Sequence, residues 1–225
     1  MEPARLLPRS VLADQVRDRL LEGILTGRYA PDSRIVETQV ARELGTSQAP
    51  VREALRGLEA LGVVEITPFR GARVRRPTRQ ELLEAYVVRA ALESLGARLA
   101  VPLLADDDLA DLAGYVQEMQ AAARADDGHA VAEADASFHG RILELADNET
   151  LVRVWRSLEP FSRTYITLVV PGADPRWSAD LHVPILDALR RRDAEAVVAA
   201  LEHHFHEVSA NMAERLPADE DGPDR

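Results

Sequence analysis

The 225-residue sequence contains no cysteine, no lysine and no apolar run long enough to cross a membrane. The absence of cysteine excludes disulfides, thiolate metal ligands and cysteine nucleophiles. A membrane-spanning helix needs roughly 20 consecutive apolar residues. The first ten residues, MEPARLLPRS, also lack the apolar core of a signal peptide. We therefore expect a cytoplasmic protein with no membrane segment.

The net charge of -11 is unevenly distributed along the chain. Residues 1–77 carry 13 arginines against 10 acidic residues, whereas residues 78–225 carry 14 arginines against 28 acidic residues. The overall negative charge argues against nucleic-acid binding, but the basic excess of the first segment permits it there. Every basic residue is an arginine, which suits bidentate contacts to guanine or phosphate. A genome-wide preference for arginine codons explains the same bias equally well.

The most informative stretch is ETQVARELGTSQAPVREALRGLEAL, residues 37–61, which is typical of two short helices joined by a tight turn. Gly45 can take the left-handed conformation that ends the first helix. Ser47 is expected to cap the second helix, and Pro50 is tolerated in its first turn. The pattern predicts a helix-turn-helix whose second helix enters the major groove of DNA. The residues expected at this interface are Ser47, Gln48, Ala49 and Arg52.

A β-hairpin is predicted directly after the helix-turn-helix. Two short alternating runs, residues 63–66 and 72–74, flank the segment TPFRG, in which Gly71 supplies the turn. Such a hairpin forms the wing of a winged helix-turn-helix. We expect Arg34, Arg70 and Gly71 to contact the DNA backbone or the minor groove.

An amphipathic helix and the turn APDSRI precede these elements. Residues 31–74 closely match a pattern that combines a PGxRL-like turn, a segment containing PVREAL and an RGAxV wing. In this sequence pattern the chain resembles the GntR family of bacterial transcriptional regulators. The resemblance implies binding to a double-stranded DNA operator. It also implies a homodimer, since one reader of this size covers only a half-site.

The rest of the chain is predicted to be helical. Thr78 and Glu81 form a capping box pattern before a long helix, which places a domain boundary at residue 77. The predicted helices cover residues 79–101, 106–124, 129–146, 149–170 (interrupted or kinked at its proline), 178–192 and 194–216. The expected domains are a winged helix-turn-helix (1–77), an all-helical bundle (78–216) and an acidic disordered tail (217–225). The fold class is therefore mainly α.

Four polar side chains lie on the apolar stripes of predicted helices in the second domain, and they form a candidate site for one divalent metal ion. The candidate ligands are Asp135, His139, His182 and His204. One carboxylate and three imidazoles suit zinc first, with nickel or another first-row ion as alternatives. Taken singly, a histidine on a helix face is usually an ordinary core residue, and Asp135 could pair with an arginine. His203 and His206 fall off the stripe and are expected to be dispensable.

The segments DASFH and HVPILDA, followed by a late histidine, resemble the FCD effector domain of the FadR subfamily of GntR regulators. The resemblance implies that Arg89 faces the bundle cavity and binds a small carboxylate effector, with Arg163 as a second candidate. An ordinary pair between Arg89 and Glu93 at i+4 is the alternative. Pro184 departs from the pattern, because it removes a hydrogen bond and could distort the helix that carries His182.

The expected function is a ligand-responsive DNA-binding transcriptional regulator, a repressor, that senses a small organic acid through a metal-containing bundle. Two alternatives stay open: a regulator that responds to the metal alone, and a metal-dependent enzyme in the bundle. The sequence has no H-E-x-x-H motif, no carboxylate placed as a general base and no nucleophile signature, so we expect no enzymatic activity. The effector, the operator and the metal stay unassigned.

Overall fold

The computed structural model describes residues 9–68, 70–168 and 174–216, and it leaves undescribed the side chains of residues 9, 10 and 161–168. The chain divides into two compact units, Met1–Arg76 and Pro77–Arg225. The predicted tail, residues 217–225, lies outside the described residues. None of the helices in the described part combines the length and the apolar character that a bilayer-crossing segment requires.

The first unit combines three helices with a small antiparallel sheet. Its elements are α1 (Arg9–Leu25), β1 (Arg34–Ile35), α2 (Glu37–Glu43), α3 (Gln48–Ala60), β2 (Val64–Thr67) and β3 (Gly71–Val74). The sheet order is β1-β3-β2, so the strand β1 extends the predicted hairpin by an edge strand where only a turn was expected. Helix α1 packs against α3. Leu20 and Ile24 are buried on α1, as are Leu55 and Leu58 on α3, and they form part of the core of this unit.

In the turn between α2 and α3, the predicted conformation of Gly45 is confirmed, but the predicted side-chain cap by Ser47 is not. Gly45 has φ +63°, the left-handed conformation expected of it. This lets the Thr46 amide donate to the Ala41 carbonyl at 2.9 Å, which closes the end of α2. Ser47 occupies the N-cap position of α3 in an extended conformation, but its side chain makes no capping hydrogen bond. The expected Ser47 cap is therefore wrong, and its exposed hydroxyl stays free of the helix backbone.

The second unit is a bundle of helices. Its elements are α4 (Arg79–Ala100), a 3₁₀ turn (Val101–Leu103), α5 (Asp106–Arg124), α6 (Gly128–Leu145), α7 (Glu149–Leu168), α8 (Pro175–Asp180), α9 (Val183–Arg190) and α10 (Ala194–Arg215). The capping box at the start of α4 is confirmed: the Thr78 hydroxyl accepts from the Glu81 amide, and the Glu81 carboxylate accepts from the Thr78 amide. Helix α7 runs through Pro160 without interruption.

The helix predicted over residues 178–192 is instead two short helices, α8 and α9, with His182 between them. His182 is the N-cap of α9, and Pro184 lies in the first turn of that helix. A proline is tolerated there because the first helical amides have no intrahelical acceptor. The expectation that Pro184 disturbs the helix predicted to carry His182 agrees with this break, because the proline begins a new helix instead of continuing the one before it.

Four helices bring the candidate site residues together. Helix α6 packs against α4, and α10 packs against both α4 and α9. The approach of α4 to α6 depends on Gly96, because a Cβ there would lie 2.9 Å from Leu143 Cδ1. Buried side chains such as Tyr86, Phe138 and Phe205 fill the space around the site.

Candidate nucleic-acid interface and metal centre

All seven residues that the sequence assigned to a DNA interface are exposed in the first unit. Four of them, Ser47, Gln48, Ala49 and Arg52, lie at the N-terminal end of α3. The buried face of this helix carries Val51, Leu55 and Leu58, so the remaining face presents its side chains to solvent. This is the end of the second helix that contacts base edges in helix-turn-helix proteins.

Arg52 and Gln48 are held in one hydrogen-bonded group. The Arg52 Nε donates to the Glu37 carboxylate at 2.6 Å, and Arg52 Nη2 donates to the Gln48 side-chain oxygen at 3.0 Å. An exposed ion pair contributes only about 0–1 kcal/mol. These weak contacts therefore give the side chains of Arg52 and Gln48 a preferred orientation on the surface, but they do not hold either side chain rigidly in place.

The wing carries a second group of arginines beside Gly71. Gly71 has φ +84°, and the Arg34 guanidinium lies 3.6 Å from where a Cβ of residue 71 would stand. Arg34 pairs with Arg73 across β1 and β3. Arg34, Arg70, Gly71 and Arg73 line one surface groove. Sequence reasoning missed Arg73, although its exposed position between the buried Ala72 and Val74 follows from strand alternation.

The four candidate ligands meet inside the bundle. Asp135 and His139 come from α6, His182 precedes α9, and His204 lies on α10. One ligand atom from each lies within 4.8 Å of the others. His182 Nε2 is 3.0 Å from Asp135 Oδ1 and 3.2 Å from His139 Nε2. Ligands bound at about 2.1 Å in tetrahedral geometry lie about 3.3 Å apart, so the spacing fits a single ion.

The contacts made by the rings of His139 and His182 also support a site for a single ion. His139 Nδ1 lies 2.5 Å from Glu93 Oε2, and His182 Nδ1 lies 3.0 Å from the Ser178 carbonyl oxygen. Both neighbours are acceptors only, so a proton on each Nδ1 would face an oxygen atom, although the His139–Glu93 contact is close without being an aligned hydrogen bond. With the proton on Nδ1, each Nε2 of a neutral ring presents a lone pair. Two such lone pairs that face each other at 3.2 Å repel, and either a proton or a metal cation between the two nitrogens removes that repulsion.

Glu93 connects the cluster to its surroundings. Its Oε1 accepts from Arg89 Nε at 3.0 Å and from Trp155 Nε1 at 2.7 Å, while its Oε2 faces His139. Burial alone would raise the pKa of Glu93, but the electrostatic interactions with His139 and Arg89 lower it below its ordinary value. A carboxylate that holds the outer nitrogen of a ligand histidine fixes the orientation of that ring.

Asp135 and His204 have the protonation states that a metal ligand needs. Burial alone would raise the pKa of Asp135, but its electrostatic interactions and contacts with His139 and His182 hold it well below its usual range. Burial lowers the pKa of His204 well below its ordinary value, which keeps the ring neutral. The Nδ1 of His204 is buried without a hydrogen-bond partner in the described part of the chain, so it is an atom that an ion or ligand would satisfy.

The two histidines next to His204 on α10 differ from it in their exposure to solvent. His203 and His206 are exposed, whereas His204 is 4% exposed. The sequence therefore predicted correctly that His204 lies on the buried face of α10 and that its two histidine neighbours do not.

A pocket of about 100 Å³ opens beside the cluster. Asp135, His204 and Arg89 form its polar end. The remaining lining is largely apolar and includes Tyr86, Val131, Pro175, Trp177, Val208 and Met212. The wall formed by α8 was missed in the sequence, because the predicted helix started only at residue 178.

Arg89 combines the two arrangements that the sequence left open. It makes the i+4 ion pair with Glu93, and it also lines the pocket. Its guanidinium carbon lies 5.5 Å from the ring centre of Tyr86 and 5.4 Å from that of Phe205. Burial would lower the pKa of Arg89, but Glu93 raises it above its ordinary value, so the side chain stays charged. The side chain of Arg163 lies outside the described residues.

The two units match two protein families. Residues 12–74 match the family described as bacterial regulatory proteins, gntR family, and residues 84–207 match the FCD domain. The chain is 35% identical over 201 residues to the probable D-xylose utilization operon transcriptional repressor of Paenarthrobacter nicotinovorans, covering 89% of this chain and 88% of that protein. It is 30% identical to the Nta operon transcriptional regulator of Aminobacter aminovorans, covering 80% and 86%. Its fold resembles the structure of E. coli McbR/YncC with a TM-score of 0.80 at 24% identity, covering 90% and 97%.

Proposed function

Because the chain belongs to the GntR family of bacterial transcriptional regulators and carries an FCD domain, we propose that it is a repressor whose DNA binding responds to a small carboxylate and a bound metal ion. The family assignment makes it a DNA-binding regulator rather than an enzyme. The P. nicotinovorans relative is named as a repressor, which supports repression here. We place this activity in the bacterial cytoplasm, where the operator DNA is.

The proposed operator contacts divide into two kinds. Gln48 and Arg52 at the exposed start of α3 face the major groove, where Gln48 reads a base edge and Arg52 anchors the helix, with Ser47 and Ala49 beside them. Arg34, Arg70 and Gly71 on the wing contact the backbone or the minor groove. The wing contacts therefore supply affinity and salt dependence, and the α3 contacts supply sequence preference.

Asp135, His139, His182 and His204 are the proposed ligands of one divalent ion, with zinc the first choice on the donor set. The observation that carries this proposal is the pair of Nε2 atoms that face each other at 3.2 Å while both Nδ1 atoms meet acceptors. The ion, when bound, supplies positive charge at the polar end of the pocket. Arg89 supplies donor groups for the effector carboxylate at the same end.

The apolar pocket beside the cluster favours an organic effector over the metal alone. A regulator that senses only the ion has no use for an apolar cavity in contact with its ligands. We propose that the acid binds against Arg89 and the cluster, and that it weakens operator binding. Linkage then requires operator DNA to weaken acid binding by the same factor.

The exposed face of α4 is the proposed dimer surface. Val87 is 70% exposed and Leu95 46%, on the same side of the helix as Ala91. In an antiparallel pairing of two copies about Ala91, Val87 faces Leu95 of the second copy, and Glu84 faces Arg98, which also pairs with Glu195 of its own chain at 3.0 Å. A two-fold interface must be self-complementary in this way. A second copy also supplies the second half-site reader that a useful operator requires.

Charge reversal tests this surface. Glu84→Arg and Arg98→Glu should each shift the protein toward monomer in sedimentation velocity experiments, and the double variant should recover the dimer. Leu95→Arg should give monomer. An unchanged dimer in the Leu95→Arg variant would place the interface elsewhere.

The whole proposal is tested by three measurements on freshly purified protein: native mass spectrometry, calorimetry and release of operator DNA. Native mass spectrometry should show a dimer that carries one metal ion per chain, and calorimetry should show acid binding only to the metal-loaded protein. Release of operator DNA by acid plus metal supports the proposal. Release by metal alone would make the protein a metal sensor.

A further inference from the structure

We propose that the effector is a short monocarboxylate with an apolar chain, rather than a dicarboxylate or a polyhydroxylated acid. This inference rests on the proposed function and specifies the chemistry of its ligand. Three properties of the pocket carry it: the charge balance at its polar end, the chemistry of its walls and its size.

The charge balance leaves room for one negative charge. Arg89 is already paired with Glu93 through a 3.0 Å contact, so its positive charge is compensated inside the bundle. Asp135 adds one negative charge, and a divalent ion adds two positive charges, which leaves a net charge of about +1 on this group of residues. One carboxylate neutralises this charge. A second carboxylate would be buried without a counter-charge, which is costly.

The walls offer little to a second polar group. Beyond Arg89, Asp135 and His204 the lining is mainly aliphatic or aromatic, with Val131, Val208 and Met212 among its members. The other charged residue among the described lining is Asp174, which is acidic, exposed and engaged in capping α8. The neutral polar side chains in this lining are Ser178 on α8 and Asn211 on α10, and Tyr86 and Trp177 each add one polar group to a largely apolar ring. An acid with several hydroxyl groups would leave most of them unpaired against apolar walls.

The size of the pocket sets the length of the acid. An apolar cavity of about 150 Å³ in another protein holds benzene. A pocket of about 100 Å³ therefore suits an acid on the order of four to six non-hydrogen atoms. Burying its apolar chain adds about 0.8 kcal/mol for each methylene group. Butanoate has the right charge, length and polarity.

The test compares three acids with the same number of carbon atoms: butanoate, succinate, which adds a second carboxylate, and threonate, which adds three hydroxyl groups. Each is titrated by calorimetry into the zinc-loaded full-length protein. Butanoate should bind at least about tenfold more tightly than the other two, since each of those buries polar groups without partners. Tighter binding of succinate or threonate would overturn this inference and leave the proposed function standing. If none of the three binds, this inference is wrong, and the proposed function is then decided by its own test of operator release.

A matched pair of variants locates the ligand. Val208→Thr keeps the shape of a pocket wall and adds a hydroxyl group, so it should weaken butanoate binding about three- to tenfold and leave zinc affinity unchanged. Val154→Thr makes the same change on an exposed face of α7 and should alter neither affinity. Equal butanoate affinity in Val208→Thr and the parent protein would show that the acid binds elsewhere.

Discussion

The two units place their functional groups in opposite environments. In the first unit the candidate DNA contacts are exposed side chains whose partners are also exposed, as with Arg52 and Glu37. In the second unit His139, Glu93 and Arg89 are buried and depend on one another. A surface contact can therefore be removed with little effect on the fold, whereas a change in the buried cluster alters every group that faces it.

This difference between exposed and buried groups also predicts whether the effects of two substitutions add. Residues that share no partner usually have additive effects, while members of one buried network do not. Substitutions on α3 and on the wing should add in their effect on DNA affinity. Substitutions in the cluster should not add in their effect on metal affinity.

The largest effect is expected at the cluster itself. His204→Ala removes a buried ligand and should reduce metal affinity by about 10- to 100-fold or more, measured by calorimetric titration of zinc. It should also blunt the release of operator DNA by acid. His206→Ala is the matched control, because it removes a histidine from the exposed side of the same helix. Loss of zinc from His206→Ala with retention in His204→Ala would require a different ligand set.

Glu93→Gln tests whether the buried network extends beyond the ligands. The amide keeps the shape of Glu93 but cannot accept from Arg89, Trp155 and His139 together, so zinc affinity should fall about tenfold. Glu118→Gln, an exposed change on α5, should have no effect.

A double-mutant cycle separates positioning from general stability. If Glu93 acts by orienting His139, then Glu93→Gln should cause no further loss of zinc affinity in a His139→Ala background. An equal loss in both backgrounds would mean that Glu93 supports the fold rather than the ligand.

The difference between the exposed groups of the first unit and the buried network of the second also explains how much of each site could be predicted from the sequence. The helix-turn-helix was predictable because its signals are local: Gly45 ends one helix, and the apolar spacing of α3 defines its exposed face. The register of the wing was placed within a residue or two, but β1 was missed, since two residues carry too little pattern to mark a strand.

The cluster depends on contacts between distant parts of the chain. His204 could be separated from its neighbours because helical phase is a local property. Glu93 was noticed only as an i+4 partner of Arg89, because its contact with His139 depends on how α4 packs against α6. His182 was predicted inside a helix, whereas it lies in the break at residues 181–182. Pro184 marked a disturbance there, but a proline is compatible with either a kink or a new helix start.

A smaller effect is expected at the base-reading surface. Gln48→Ala should lose about 1 kcal/mol of discrimination at one base pair, while most of the affinity stays. Glutamine can make two hydrogen bonds to the N6 and N7 atoms on the major-groove edge of adenine, so the parent protein should select adenine there. The measurement is selection of binding sites from a random pool. Gln39→Ala, an exposed glutamine on α2, should leave the preference unchanged, and an unaltered preference in Gln48→Ala would remove Gln48 from base reading.

The smallest effect is expected at the wing, and it tests whether surface contacts there are independent. Arg70→Ala should reduce the slope of log affinity against log salt concentration by about 0.9, the value for one phosphate contact, and weaken all sequences alike. Arg19→Ala, an exposed arginine on α1 that pairs with Glu22, is the control and should leave the slope unchanged. The double variant Gln48→Ala/Arg70→Ala should show the sum of the two losses, because the wing arginine and the base-reading glutamine share no partner among the described contacts. A slope and an affinity that both stay unaltered in Arg70→Ala would show that the wing does not touch the DNA.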